Sequence, residues 1–281
     1  MARGRAATAR RTACAVVLLT ASVCSSIAWG QSNGPTPPVM PAPFSRDCQV
    51  AVGSDPVGAS SPLPNVAAAL QQRKKIRILA IGASASAGRR STRGGHTGDA
   101  RKILEQAIKG LDVVMINRGV SGELAAQAAA RIKTEVALNE PDLVLWQVGT
   151  NDALAYVPLD ELETTVVETV RWLKDHKVDV VLVGLQYVNQ MEQDDNYRAV
   201  RELMRRIAAQ EKIMIIRYPE ARKLLSQAAE SGGGLFPEEF ERSDAGYVCL
   251  AEYLARAITL GIFGGGMRPP QQQQQTAPPP N

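Results

Sequence analysis

The sequence predicts a three-layer α/β domain built around a five-stranded parallel sheet. Two observations lead there: five short runs dense in Val, Ile and Leu, and helical patterns in the intervals between them. The apolar runs lack strict alternation, as expected for strands covered by helices on both faces. Strands that alternate with helices pair in parallel, because each helical crossover returns the chain to the same edge of the sheet.

Taken in chain order, the first strand is expected over Ile76–Ile81, followed by a helical pattern over Gly98–Lys109. Val113–Ile116 is the second strand and Glu123–Leu138 the helix after it. The third strand, Leu143–Val148, leads to a helix over Leu159–His176, with Pro158 at its start, where a missing N–H costs little. Val178–Leu185 is the fourth strand, Asp195–Gln210 its helix and Ile213–Ile216 the fifth strand. Helical patterns over Tyr218–Ala229 and Asp244–Ile262 complete the domain. Trp146 and Trp172 sit in periodic segments and are assigned to the core. No internal repeat is present.

The chain ends read differently. Arg3, Arg5, Arg10 and Arg11 precede an uncharged apolar stretch from Ala13 to Trp29, and Ala28-Trp29-Gly30 supplies small residues for cleavage. This pattern predicts a secretory signal over residues 1–30, an uncleaved membrane anchor being the alternative, and hence an exported protein, periplasmic or secreted. Residues 31–70 are a Pro-rich linker and N-terminal extension, residues 71–265 the folded domain, and residues 266–281 a disordered Gln/Pro-rich tail. The four leading arginines account for the whole net charge of +4, which leaves the rest of the chain neutral. Nothing global therefore argues for a nucleic-acid partner. Of the four cysteines, Cys14 and Cys24 belong to the signal, leaving Cys48 and Cys249. In an oxidising compartment these two read as one disulfide, which would stabilise by about 4–5 kcal/mol through loop closure, or else as two buried thiols.

Three segments that close strands carry the chemistry: Ile81-Gly82-Ala83-Ser84, Asn117-Arg118-Gly119-Val120-Ser121-Gly122 and Gly149-Thr150-Asn151-Asp152. In parallel sheets, sites form beyond the carboxyl ends of strands near the switch in strand order, so three separate loops can meet there. Ser84 offers a nucleophilic hydroxyl, Gly122 a backbone amide and Asn151 a side-chain amide. Together they are the parts that attack an ester carbonyl and hold its oxyanion. Each has a plainer reading: Ser84 as a helix cap, Gly122 as an ordinary turn, and Asn151 as an Asx turn with Asp152 as a capping residue.

The combination resembles the SGNH hydrolase superfamily, the GDSL-type lipases and esterases, whose four blocks contribute Ser, Gly, Asn and His in chain order. Gly149-Thr150-Asn151-Asp152 matches the third block letter for letter, and Asn117 to Glu123 closely matches the second. In the first block, Ala83 stands where Asp is usual. The resemblance covers about Ile76 to Gly264 and implies a flavodoxin-like sheet, an acyl-serine intermediate, no metal or cofactor, and small-molecule, glycan or lipid esters as substrates. Association with the cell envelope is the expectation that export carries, and the oligomeric state is left open.

The fourth block departs from the pattern. The family places Asp-x-x-His shortly before a Gly-Tyr that opens the last helix. Here Gly246-Tyr247 is present, but Glu238 and Glu241 occupy the Asp and His positions. The chain has only two histidines, His96 and His176. A serine needs a neighbouring base, which leaves three readings. Glu241 serves as the base, with a pKa raised by burial, or belongs with Glu238 and Glu239 to a solvated acidic turn; His96 enters from the Arg89–Gly98 loop, whose Arg89, Arg90 and Arg93 either hold an anionic substrate or form a solvated basic loop; or the pocket binds a glycan or acyl ligand without cutting it. Hydrolysis through Ser84, Gly122, Asn151 and Glu241 is the first reading, silent binding the second.

Overall fold

The computed structural model describes residues 61–82, 95–185, 191, 193–216 and 244–263 of the chain. Its strands are β1 (Lys75–Gly82), β2 (Asp112–Gly119), β3 (Leu143–Gln147), β4 (Asp179–Val183) and β5 (Met214–Ile216). They form one sheet in the order β2-β1-β3-β4-β5, every pair parallel. This is the five-stranded α/β arrangement expected from the sequence. The strand order reverses direction between β1 and β3, so the crevice beyond their carboxyl ends is the switch point of the sheet.

The helices among the described residues are α1 (Pro64–Arg73), α2 (Gly95–Ala107), α3 (Ala125–Asn139), α4 (Thr150–Leu154), α5 (Leu159–Asp175), α6 (Asp195–Gln210) and α7 (Asp244–Phe263). Alternate residues of each strand feed two cores. Ile76, Ile78, Ala80, Leu143, Leu145, Val181 and Val183 pack with residues of α1, α2 and α7 on one face. Leu79, Ile81, Val144, Trp146, Val180 and Leu182 pack with α3, α5 and α6 on the other. Trp146 is fully buried and Trp172 packs against the same cluster, as assigned. Strands covered on both faces in this way explain the unbroken apolar runs.

Two helices are absent from the sequence reading. The first, α1, lies in the stretch read as N-terminal extension, yet Leu63, Val66 and Ala69 are buried in the core. Its first turn is capped from a distant part of the chain. Asp179, at the start of β4, accepts from the backbone N–H of Asn65 and Val66, both at 2.9 Å, and from the Asn65 side-chain amide at 2.7 Å. Burial pushes the Asp179 carboxyl above its ordinary range, against the lowering effect of these three donors, and the Asp142 charge adds to the rise. The second, α4, is the short helix that carries Asn151.

Helix α2 begins three residues earlier than its pattern suggests, so His96 lies in its first turn and not in a loop. Gly95 and Gly98 lower the intrinsic propensity there, and packing of the buried Thr97 and Ala100 outweighs it. The helical pattern over Tyr218–Ala229 lies outside the described residues. Cys249 is buried in α7 and disulfide-bonded, while Cys48, its expected partner, lies outside the described residues.

Replacing Asp179 with Ala orphans three donors, two of them main-chain amides of the first turn of α1. Urea unfolding of Asp179→Ala is expected to show a loss of about 2 kcal/mol, with α1 the first segment to gain amide exchange.

Candidate active site

The carboxyl ends of β1, β2 and β3 lie side by side. Gly82 is the register partner of Gly119 on one side and of Gln147 on the other. It has φ +106°, and a Cβ built there would stand 2.0 Å from the Gln147 carbonyl oxygen. Only glycine fits this approach. The Gly82 carbonyl accepts from the Val120 N–H at 2.8 Å, which carries the pairing one residue past β2. The first and second blocks are therefore hydrogen-bonded to each other just before the chain reaches Ser84 and Gly122.

Past β2 the chain turns. The Glu123 N–H donates to the Val120 carbonyl at 3.4 Å, and Gly122 takes φ +78° in the third position of that turn. The positive φ, which suits a type II turn, explains the glycine. Among the described residues, a Cβ at Gly122 would meet nothing within 4 Å. The turn reading and the oxyanion reading of Gly122 are thus compatible.

The third block is helical instead of looped. Gly149 precedes α4, and its N–H donates to Asp152 Oδ2 at 3.2 Å. That bond closes the first turn and sets Asn151 on it. The Asn151 Nδ2 donates to the Glu123 carbonyl at 2.8 Å, spanning 28 residues to the neighbour of Gly122. An Asx turn would have kept this amide local. The structure instead brings Asn151 and Gly122 together.

A second bond joins the same segments. Asp152 Oδ1 accepts from the Ala125 N–H at 2.8 Å, so the capping role weighed for Asp152 extends to the first turn of α3. Asp152 is buried, and desolvation pushes its carboxyl above the ordinary aspartate range, opposed by the N–H donors of Ala125 and Gly149.

Glu123 and Arg131 form an ion pair beside the Gly122 turn that the sequence did not single out. The Glu123 carboxylate is buried and receives Arg131 Nε at 2.6 Å and Nη2 at 3.1 Å. The sequence signal is an acid and an arginine eight positions apart on either side of a helix start, which any solvated pair would share.

Ser84 and Glu241, the nucleophile and base of the sequence reading, lie outside the described residues, as do Arg89, Arg90, Arg93 and Glu238. His176 caps the C-terminus of α5, three residues before β4 begins, and so belongs to the opposite edge of the sheet. Its Nδ1 donates to the Trp172 carbonyl at 2.7 Å, and its ring stacks on Trp172 with centroids 3.9 Å apart.

Residues 48–263 match the Non-GDSL lipase-like family. The chain belongs to that family. It is 30% identical over 77 residues to an arylesterase of Vibrio mimicus, a stretch that covers 27% of this chain and 38% of that protein. The chain thus spans well under half the length of this curated relative. A G-D-S-L family protein of Desulfitobacterium hafniense superposes with a TM-score of 0.51 at 19% identity, over 65% of this chain and 99% of that one. An acetylxylan esterase of Geobacillus stearothermophilus superposes with a TM-score of 0.52 at 24% identity, over 65% and 94%. These two likenesses show a common fold. The family match and this common fold agree with the resemblance of the blocks to the SGNH hydrolase superfamily.

The Asp152 environment gives a pH prediction. Because its folded pKa is raised, its stabilising contribution is complete below the ordinary aspartate range and is lost as pH rises through the folded value. The stability of wild type relative to Asp152→Asn is therefore expected to fall with rising pH. Urea unfolding of both proteins from about pH 3 to about pH 8 checks this; parallel curves would contradict it.

Proposed function

We propose that the protein is an exported serine ester hydrolase that forms an acyl-serine intermediate. The observation that carries the reading is the bond from Asn151 to the Glu123 carbonyl, which sets a side-chain amide beside the Gly122 turn. An amide nitrogen has two protons, and this bond uses one. The other, with the Gly122 N–H, suits an oxygen that gains negative charge during ester attack.

In this mechanism the Ser84 hydroxyl attacks the ester carbonyl as Glu241 takes its proton. The carbonyl oxygen becomes an oxyanion held by Gly122 and Asn151. Collapse breaks the bond to the leaving alkoxide, which takes the proton from Glu241, and leaves the acyl group on Ser84. Water then repeats the sequence and frees the acid. Glu241 has the sequence position of the family histidine, and an unperturbed glutamate is a weak base near neutrality. Burial of Glu241, or entry of His96, would meet that need.

The absence of a histidine from the fourth block supports a second reading, an envelope protein that binds an acyl or glycan ligand without cutting it. The terminal charge pattern supports export in either case, and an oxidised Cys249 fits that compartment.

A fluorophosphonate probe reports an activated serine. Wild type is expected to be labelled and Ser84→Ala not, with Glu241→Gln and His96→Ala identifying the base. No labelling of folded wild type across the glutamate and histidine titration ranges would favour the binding reading. Among active proteins, Asn151→Ala is expected to lower kcat by about 10²–10³ with little change in KM, because the lost donor acts on the transition state. Steady-state hydrolysis of an aryl acetate measures this.

A further inference from the structure

The turn that presents Gly122 is bolted to α3 at both ends. Two residues before it, near the end of β2, Arg118 Nε donates to Glu135 Oε2 on α3 at 2.9 Å. At its end, the Glu123 carboxylate holds the Arg131 guanidinium in a two-bond fork. The same Arg131 also donates from Nη2 to the Arg118 carbonyl at 2.7 Å. One guanidinium on α3 therefore spans the turn, touching the end of the strand before it and the residue that closes it. Between those two points the chain makes the positive-φ step at Gly122.

We infer that Arg131 is a positioning residue, which fixes the Gly122 amide for the oxyanion by clamping Arg118 and Glu123 together. This inference rests on the hydrolase reading above. Its physical basis is the fork geometry: a planar guanidinium bonded to two carboxylate oxygens and one carbonyl leaves the turn little rotational freedom. The Asn151 arm of the oxyanion site bonds to the Glu123 backbone carbonyl. It does not use the Glu123 carboxylate, so the clamp can be released without removing the other donor.

The test compares wild type, Arg131→Ala, Arg131→Lys and Glu123→Gln of the full chain in aryl acetate hydrolysis and in the rate of fluorophosphonate inactivation. Misplacement of one donor by about 1 Å is expected to lower kcat and the inactivation rate by about 10–100-fold, with KM nearly unchanged. Glu123→Gln, which keeps its backbone bond to Asn151, is expected to share the loss, and Arg131→Lys to recover only part of it. Amide exchange is expected to rise in the peptide spanning residues 118–123 and to stay as in wild type in α5. If Arg131→Ala does not fold, Glu123→Gln and Arg131→Lys decide the matter. Folded variants with wild-type kcat would overturn the clamp and leave the hydrolase reading intact. A folded wild type inert to both substrate and probe would overturn the hydrolase reading, and the clamp with it.

Discussion

Among the described residues, the tightest approach that a glycine permits is that of β1 to β3 at Gly82. No side chain fits between the Gly82 α-carbon and the Gln147 carbonyl oxygen, and the strand on the other side is joined in register at Gly119. Three strand ends are drawn into one narrow edge. The described segments beyond β2 and β3 must then leave from almost the same place: the Gly122 turn from β2 and α4 from β3. A residue with a β-carbon at 82 would force these strands apart and separate the segments before any polar contact could join them.

Polar contacts between distant segments complete what the strands begin. Glu123 and Leu124 lie between the Gly122 turn and α3, which opens at Ala125, and α4 holds both ends of this junction: Asn151 bonds the Glu123 carbonyl and Asp152 bonds the Ala125 N–H. Such contacts are costly to set up. Asp152 is buried, and its raised pKa reflects the expense of removing a carboxylate from water. The compensation is positional: a satisfied buried acceptor ties two loops that have no sequence connection. Asp179 does the same at the other end of the sheet, where it anchors α1.

The layered fold was legible because its signals are local and repeated. Each strand buries both faces and so shows as an apolar run, and the amphipathic helices show one-sided periodicity. α1 was not legible, because its sequence lies among prolines and serines and its cap comes from Asp179, 114 residues away. α4 was missed for a related reason. Five residues are too few for a periodic pattern, and what makes them helical is an internal bond from the Gly149 N–H to Asp152. In the site, Gly122 and Asn151 could be named from the residue types that oxyanion chemistry requires. Arg131 could not, because nothing in its neighbourhood along α3 distinguishes it from a solvated arginine.

By itself the sequence determined the five-strand α/β order, the glycines at the strand ends, and the departure from the family pattern at Glu241. All of these are set by residue type and spacing along the chain. The tertiary structure alone decided which donors meet: that Asn151 reaches Glu123, that Asp152 caps α3, and that Arg131 spans the Gly122 turn. Hydrogen bonds act over about 3 Å, and residues 28 positions apart come that close only when a sheet brings their strands to a common edge.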